Sequence, residues 1–123
     1  MGAVQTVVIL GASEDDERYA FKAQRLLKER GHRVIPVNDK KEKINGDPTV
    51  ASLADISTPV DTVTIYVRPS VSSRFQEQIE NLRPGRVIFN PGTENPTLSR
   101  ALIDTGITCH DECTLVLLRS NRF

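Results

Sequence analysis

The chain has 123 residues, of which 38% are hydrophobic and 26% are charged. This length and composition predict a single domain over residues 1–123, built around one hydrophobic core. Sixteen basic residues balance sixteen acidic ones, so the formal net charge is zero. A nucleic-acid partner is not expected, because proteins that bind nucleic acid usually carry a basic excess.

The cysteine count and the hydropathy pattern indicate where the protein works. Two cysteines, Cys109 and Cys113, are too few for the disulfide framework of a small secreted domain. The sequence opens without a signal-peptide pattern, and no stretch approaches the ~20 apolar residues that span a bilayer. We therefore expect a cytoplasmic protein with no membrane partner.

The first half of the chain predicts two strands and a helix. Residues 4–10 form an apolar run without alternation, which is typical of a strand buried on both faces. After the acidic residues 14–17 comes a segment with helical character that runs to Arg30, where Gly31 is a suitable stop. A second strand follows at residues 33–37. The charged stretch after it predicts a loop, and residues 52–56 a short helix.

The second half alternates strands and helices. Strands are predicted at residues 63–67, 86–89 and 107–109, and helices at residues 70–82, 95–105 and 113–118. This order favours parallel strands joined by helical crossovers. The predicted fold class is a three-layer α/β/α arrangement with a mainly parallel five-stranded sheet.

Four of these strands end in loops rich in turn residues. In an open α/β sheet such loops share one edge, and ligands bind there beside the point where the strand order reverses. Gly11, Ala12 and Ser13 would let a ligand approach the backbone, and the following helix N-terminus would offer free N–H groups to a phosphate. Arg18 and Lys22 would add positive charge. The alternative is that Gly and Ser here are ordinary turn and cap residues.

The loop after the first strand does not match the common nucleotide fingerprints. The dinucleotide pattern needs three glycines, but residues 11–16 contain one. The second strand is followed by the neutral Asn38, where an acidic residue would bind the ribose of a nicotinamide cofactor. The Gly-Lys-Ser/Thr of a Walker A loop is also missing, so nicotinamide cofactors and P-loop nucleotides are disfavoured.

A metal site is the main alternative elsewhere in the chain. Residues 109–113 read Cys-His-Asp-Glu-Cys, and every one of these side chains can bind a metal. Five adjacent residues cannot all face one ion, and a second cluster is missing, so no metal site is expected. The simpler interpretation is a strand end with Cys109 as a small buried group. A reactive thiol near a bound ligand stays an open alternative.

Several ordered segments together resemble a known family. They are residues 8–13, 18–20, 27–38, 44–46, 52–56, 60–63 and 106–107. Over nearly its whole length the chain resembles the CoA-binding domain family, specifically its stand-alone single-domain members. It is also similar to the CoA-binding domain of the succinyl-CoA synthetase α subunit. The resemblance implies a Rossmann-type fold with coenzyme A as cofactor.

The resemblance also implies roles for individual positions. Gly11, Ala12 and Ser13 would hold the pyrophosphate, and Lys22 would help with phosphates. Val37 and Asn38 would line the adenosine side, and Val67, Arg68 and Pro69 would flank the other side of the nucleotide. Asn90, Pro91 and Gly92 would lie near the pantetheine arm.

No catalytic residues are expected. The ligase relatives use a phosphorylated histidine on a second domain, and His32 and His110 have no catalytic context here. The leading hypothesis is a non-catalytic module or sensor that binds CoA or acyl-CoA and acts with a protein partner. The alternatives are a small enzyme with a nucleotide cofactor and a scaffold without ligand. The acidic residues 14–17 favour the scaffold, because carboxylates repel a polyphosphate unless they point outward.

Overall fold

A computed structural model describes residues 3–123, so the first two residues of the predicted domain lie outside it. Its strands are β1 Thr6–Leu10, β2 Arg33–Val37, β3 Lys43–Ile44, β4 Asp47–Pro48, β5 Thr62–Ile65, β6 Arg86–Phe89 and β7 Thr108–Asp111. Five of them form a parallel central sheet in the order β2-β1-β5-β6-β7, and β3 and β4 form a separate two-stranded hairpin.

Helices cover both faces of this sheet. They are α1 Tyr19–Glu29, α2 Pro69–Ser72, α3 Gln76–Leu82, α4 Pro96–Asp104 and α5 Thr114–Arg119, with 3-10 turns at Leu53–Asp55 and Ser73–Phe75. Helices α1 and α5 pack together over one face, and α3 and α4 pack together over the other. The predicted three-layer, Rossmann-like fold is therefore confirmed, and the sheet is wholly parallel.

The first strand shows why its sequence does not alternate. Val7 and Ile9 belong to the core under α1 and α5, whereas Val8 and Leu10 belong to the core under α3 and α4. Because side chains alternate between the faces of a strand and both faces are covered, every position must be apolar. All four side chains are buried, as the uninterrupted apolar run predicts.

The acidic residues before α1 form turns, and the helix begins after them, at Tyr19. The Ser13 hydroxyl accepts from the Asp15 N–H at 3.0 Å, and the Asp15 carboxylate accepts from the Glu17 N–H at 3.0 Å. Such local side-chain bonds compete with helix formation and produce turns. The segment after β2 was predicted to be a loop without regular structure. In the structure it contains the β3-β4 hairpin.

The predicted helix over residues 70–82 is divided into α2, a 3-10 turn and α3. Serines at positions 70, 72 and 73 have modest helix propensity because their hydroxyls compete for backbone groups. Asn95 on the next crossover donates to the hydroxyls of Ser72 and Ser73 at 3.0 Å and 2.9 Å. These contacts favour the local turn over a continuous helix.

The C-terminal segment closes one end of the sheet. Helix α5 confirms the helical interpretation of this segment, and Arg30 donates to the Leu118 carbonyl at 2.7 Å. The Phe123 ring lies 5.3 Å from the His32 ring and 4.4 Å from the Arg86 guanidinium. Within residues 3–123 no helix has the length and apolar character needed to cross a bilayer.

His32 makes this end of the protein sensitive to pH. Its Nδ1 accepts from the Gln5 N–H at 3.0 Å, so this nitrogen carries no proton in the fold. Burial lowers the pKa of His32, the Arg30 and Arg86 cations lower it further, and Asp61 opposes them. The unfolded chain therefore binds a proton more readily than the fold. The stabilisation is complete above about pH 6.5, the ordinary pKa of histidine, and is lost as the pH falls below it.

We expect His32→Asn to remove this pH dependence, because the Asn oxygen can accept from Gln5 and does not titrate. The free energy of unfolding of the wild type should fall more steeply between pH 7 and pH 5 than that of the variant. Urea titrations at several pH values measure both. Parallel pH profiles for the two proteins would contradict this role for His32.

Candidate functional site

The connections of the sheet place a reversal of strand order beside β1. The chain passes from β1 to β2 on one side and then to β5 on the other side of β1. The loops that follow β1 and β5 therefore leave the sheet at one edge and run to elements on opposite faces. In open parallel sheets this switch point is where ligands bind.

Gly11 brings these two loops into contact. It has a φ of +99°, and a Cβ at this position would lie 2.7 Å from Val67 Cγ1 and 3.1 Å from the Tyr66 carbonyl carbon. Residues other than glycine rarely adopt this φ, and a Cβ at this position would displace the neighbouring loop. The structure thus places two of the predicted site residues, Gly11 and Val67, against each other.

The segment after Gly11 leaves backbone donors free. None of the N–H groups of Ala12, Ser13 and Glu14 donates to another residue within 3–123. Ala12 and Ser13 are half-buried, and Glu14 is exposed. Most N–H groups that are shielded from water in proteins are paired, so the free N–H groups of Ala12 and Ser13 are unusual. Together with the adjacent N–H of Glu14, they form a suitable site for an anion.

This arrangement corrects one part of the sequence-based argument. Residues 14–18 separate Ser13 from α1. The first turn of that helix therefore does not directly follow residues 11–14, which we call the glycine loop. The free N–H groups beside Gly11 belong to the loop itself.

The two predicted cations lie near the start of α1. Arg18 is exposed with its Nε 3.8 Å from Asp15, and Lys22 has its Nζ 5.4 Å from the centre of the Tyr19 ring.

The carboxylates of residues 14–17 lie on the outside of the loop. All four of these residues are exposed. The Glu14 carboxylate pairs with Lys41 Nζ, and the Asp15 carboxylate is engaged by Arg18 and by the Glu17 N–H. The repulsion of an anion on the loop is therefore reduced by exposure to solvent and by paired cations.

The loop after β2 is shaped by Asn38. Its side-chain oxygen accepts from the N–H groups of Lys40 and Lys41, both at 2.8 Å, and its own N–H donates to the Val50 carbonyl at 3.0 Å. Val37, the last residue of β2, is buried. Asn38 thus turns the chain so that Lys41 meets Glu14 on the neighbouring loop.

The remaining predicted residues follow β5 and β6. Arg68 is exposed with its Nε donating to Ser70 Oγ at 3.1 Å, and Pro69 is the first residue of α2. Pro91 and Gly92 are exposed. They lie beside the loop after β5, because β6 is the neighbour of β5 in the sheet.

Asn90 has its side chain engaged within the fold. It is 3% exposed, its Nδ2 donates to Thr64 Oγ1 at 2.7 Å and to the Ile65 carbonyl at 2.9 Å, and its Oδ1 accepts from the Thr114 N–H at 2.9 Å. Both N–H groups of this amide are thus bonded. Asn90 joins β5, β6 and α5, and positions the exposed residues that follow it.

Sequence reasoning missed three amide side chains at this edge. Asn95 caps α4 and donates to the Pro69 carbonyl at 3.3 Å, which ties the loops after β5 and β6 together. Asn45 donates to the Ser13 carbonyl at 2.9 Å, and buried Gln24 contacts Asn45. An Asn-Gly pair at residues 45–46 is a strong hairpin signal and would have located the turn.

The cysteine segment begins in β7, the edge strand next to β6, and ends at the start of α5. Burial raises the pKa of the Cys109 thiol, Ser99 opposes this increase, and Asp111 raises the pKa further. Cys113 directly precedes α5, and both thiols are free. In the described part of the chain no group of three or more His, Cys, Asp or Glu side chains is placed to hold a metal ion.

Two clefts of about 410 Å³ each lie away from the switch point. One is at the amino-terminal edge of the sheet, between His32, Arg30 and Phe123. The other runs along α1 beside Asn45. Neither cleft is lined by the loop with free N–H groups, and the candidate site at the carboxyl edge rests on those groups.

Comparison with models of protein families shows which family this chain belongs to. The family model described as CoA binding domain matches residues 5–119, which includes every strand of the central sheet. The chain belongs to the CoA-binding domain family. A curated relative, the uncharacterized protein YneT of Bacillus subtilis, is 28% identical over 75 residues, which is 58% of this chain and 56% of that protein.

Several solved structures share the fold. An uncharacterized protein is 41% identical with a TM-score of 0.92, and the match covers 99% of this chain and 100% of that one. A protein of Thermus thermophilus, cell-free ID.343, is 35% identical with a TM-score of 0.87, covering 98% and 91%. The dinucleotide forming acetyl-coenzyme A synthetase 1 of Ca. Korarchaeum cryptofilum shares the fold, at 16% identity, a TM-score of 0.74, and coverage of 85% and 25%.

The contact at Gly11 predicts a large cost for adding one methyl group. Gly11→Ala should destabilise the fold by about 2 kcal/mol or more, from backbone strain and from the clash with Val67. Gly31→Ala is the matched control, because Gly31 has a φ of +84° but no atom within 4 Å of the added Cβ. It should cost about 1 kcal/mol. Urea unfolding measures both, and equal losses would contradict the close approach of the two loops.

Proposed function

We propose that this protein binds coenzyme A or an acyl-CoA at the carboxyl edge of its sheet, as a non-catalytic module or sensor that acts with a protein partner. The observation that carries the proposal is the run of free N–H groups at Ala12, Ser13 and Glu14 beside the Gly11–Val67 contact. Backbone N–H groups of this kind bind the diphosphate of nucleotides. Membership of the CoA-binding domain family favours coenzyme A among such ligands.

The loops around the free N–H groups suggest how the ligand would lie. The diphosphate would sit on residues 12–14, with the adenosine toward Val37 and Asn38 at the end of β2. Residues 67–69 would flank the nucleotide on its other side. The pantetheine arm would run past the exposed Pro91 and Gly92, and Arg18 and Lys22 would contribute positive charge. The structural neighbour named as an acetyl-coenzyme A synthetase is consistent with this ligand.

One observation favours the alternative of a scaffold without ligand. The ion pair of Glu14 and Lys41 joins the loop after β1 to the loop after β2, across the proposed adenosine side. Both side chains are about half exposed, at 46% and 56%. An exposed ion pair contributes about 0–1 kcal/mol to stability, whereas binding with a micromolar Kd corresponds to a binding free energy of about 8 kcal/mol. A ligand of ordinary affinity can therefore displace this pair.

Thermal unfolding with a panel of nucleotides tests the proposal. Ligand at about 100 times its Kd adds roughly 2.7 kcal/mol of stability, which raises the Tm of a domain this size by on the order of 10 °C. We expect this shift with CoA or acetyl-CoA and not with NAD, NADP or ATP. A shift with NAD or NADP would support the enzyme alternative, and no shift with any compound at millimolar concentration would support the scaffold.

Adding charge to the loop should abolish the response. Ser13→Glu places a carboxylate among the free N–H groups, where repulsion of a diphosphate should weaken binding tenfold or more. Ser57→Glu is the matched control, since Ser57 is exposed in the segment that leads into β5, away from the carboxyl edge. Isothermal titration with CoA should show a loss for the first variant alone. Unchanged affinity in Ser13→Glu would place the diphosphate elsewhere.

A further inference from the structure

A buried glutamine ties the hairpin to α1. Gln24 is 1% exposed, and its Nε2 donates to the Ile44 carbonyl at 2.9 Å and to the Asp47 carboxylate at 2.7 Å. Lys28 on the same helix also pairs with Asp47, at 3.1 Å. A buried amide without these partners would cost free energy, so the bonds hold the hairpin at a defined place on the helix.

Asn45 at the tip of the hairpin extends this network to the glycine loop. Its Nδ2 donates to Gln24 Oε1 at 3.0 Å and to the Ser13 carbonyl at 2.9 Å. Because both hydrogens of the Gln24 amide are used on the hairpin, its oxygen is the group that faces Asn45. Gln24 therefore orients the Asn45 amide, and the second N–H of that amide is directed at Ser13.

The bond to the Ser13 carbonyl also orients the next N–H group. In a trans peptide the C=O and the following N–H point in opposite directions. Holding the Ser13 carbonyl toward the hairpin therefore turns the Glu14 N–H away from the hairpin. That N–H is one of the three free donors of the candidate site.

We propose that Asn45 is a positioning residue for the anion-binding loop, oriented by Gln24, which presents the Glu14 N–H to the diphosphate of the ligand. This inference rests on the proposed function and assigns Asn45 no contact with the ligand. A single hydrogen bond to a backbone carbonyl corresponds to a change of about three- to tenfold in affinity.

The test separates the donor of Asn45 from its backbone conformation. Asn45 has a φ of +52°, which glycine adopts without strain, so Asn45→Gly removes the donor and keeps the turn. Asn45→Ala removes the same donor and adds backbone strain. Asn121→Gly is the matched control, because Asn121 has a φ of +57° and follows α5, where it accepts from Arg30.

Isothermal titration with CoA on the full chain, with the Tm of each variant recorded, gives the readout. We expect Asn45→Gly and Asn45→Ala to lose about the same three- to tenfold in affinity, although the Ala variant unfolds at a lower temperature. Asn121→Gly should keep the wild-type Kd. In ¹⁵N-NMR spectra without ligand, the amide resonance of Glu14 should shift in Asn45→Gly, which tests the positioning independently of binding.

Each other outcome is decisive. Wild-type affinity in Asn45→Gly, a loss confined to Asn45→Ala, or an unmoved Glu14 resonance would overturn the positioning role and leave the proposed function intact. Failure of the wild type itself to bind CoA would overturn the proposed function, and this inference with it.

Discussion

The close approach of the loop after β1 to the loop after β5 is the constraint on which the rest of the carboxyl edge depends. The Tyr66 N–H donates to the Leu10 carbonyl at 2.8 Å, which extends the β1–β5 pairing to the end of both strands. At the next residue the chain must turn away from Val67, and Gly11 does so with a positive φ and no side chain. The residues that follow therefore leave the sheet with their N–H groups unpaired. A bulkier residue here would separate the two loops and remove the site with the contact.

Amide side chains provide the rigidity around this turn. Asn90 joins β5, β6 and α5, Asn95 joins the loop after β5 to α4, Asn38 shapes the loop after β2, and Asn45 reaches the glycine loop. An amide both donates and accepts, so one side chain can satisfy several backbone groups of loops that carry no regular hydrogen-bond ladder. Most polar groups at the edge are thereby satisfied within the protein. The free N–H groups of residues 12–14 follow directly on the Gly11–Val67 contact, which is the physical reason for treating them as a binding surface.

The acidic residues 14–17 have less effect on the loop after β1 than their number suggests. Their carboxylates face solvent and two of them meet cations, so the field at the loop N–H groups is weaker than the residue count suggests. Glu14 and Lys41 also join the loops after β1 and β2 on the adenosine side. Because both side chains are exposed, this ion pair is weak. Glu14 therefore competes with a phosphate ligand for Lys41, and this competition weakens as the ionic strength rises.

Local sequence patterns were enough to predict the fold class and the sheet edge at which the binding site is proposed. The unbroken apolar run of β1, the alternation of strands with helices and the turn residues after each strand follow from local patterns, because burial on both faces and tight turns restrict residue types directly. The position of the hairpin on Gln24 and the bond from Asn45 to Ser13 became visible only in the folded molecule. These contacts join residues 20 or more positions apart, such as the 32 between Ser13 and Asn45. Their hydrogen bonds form only after the sheet and helices have packed, so no local pattern of polar residues indicates which partner each amide will meet.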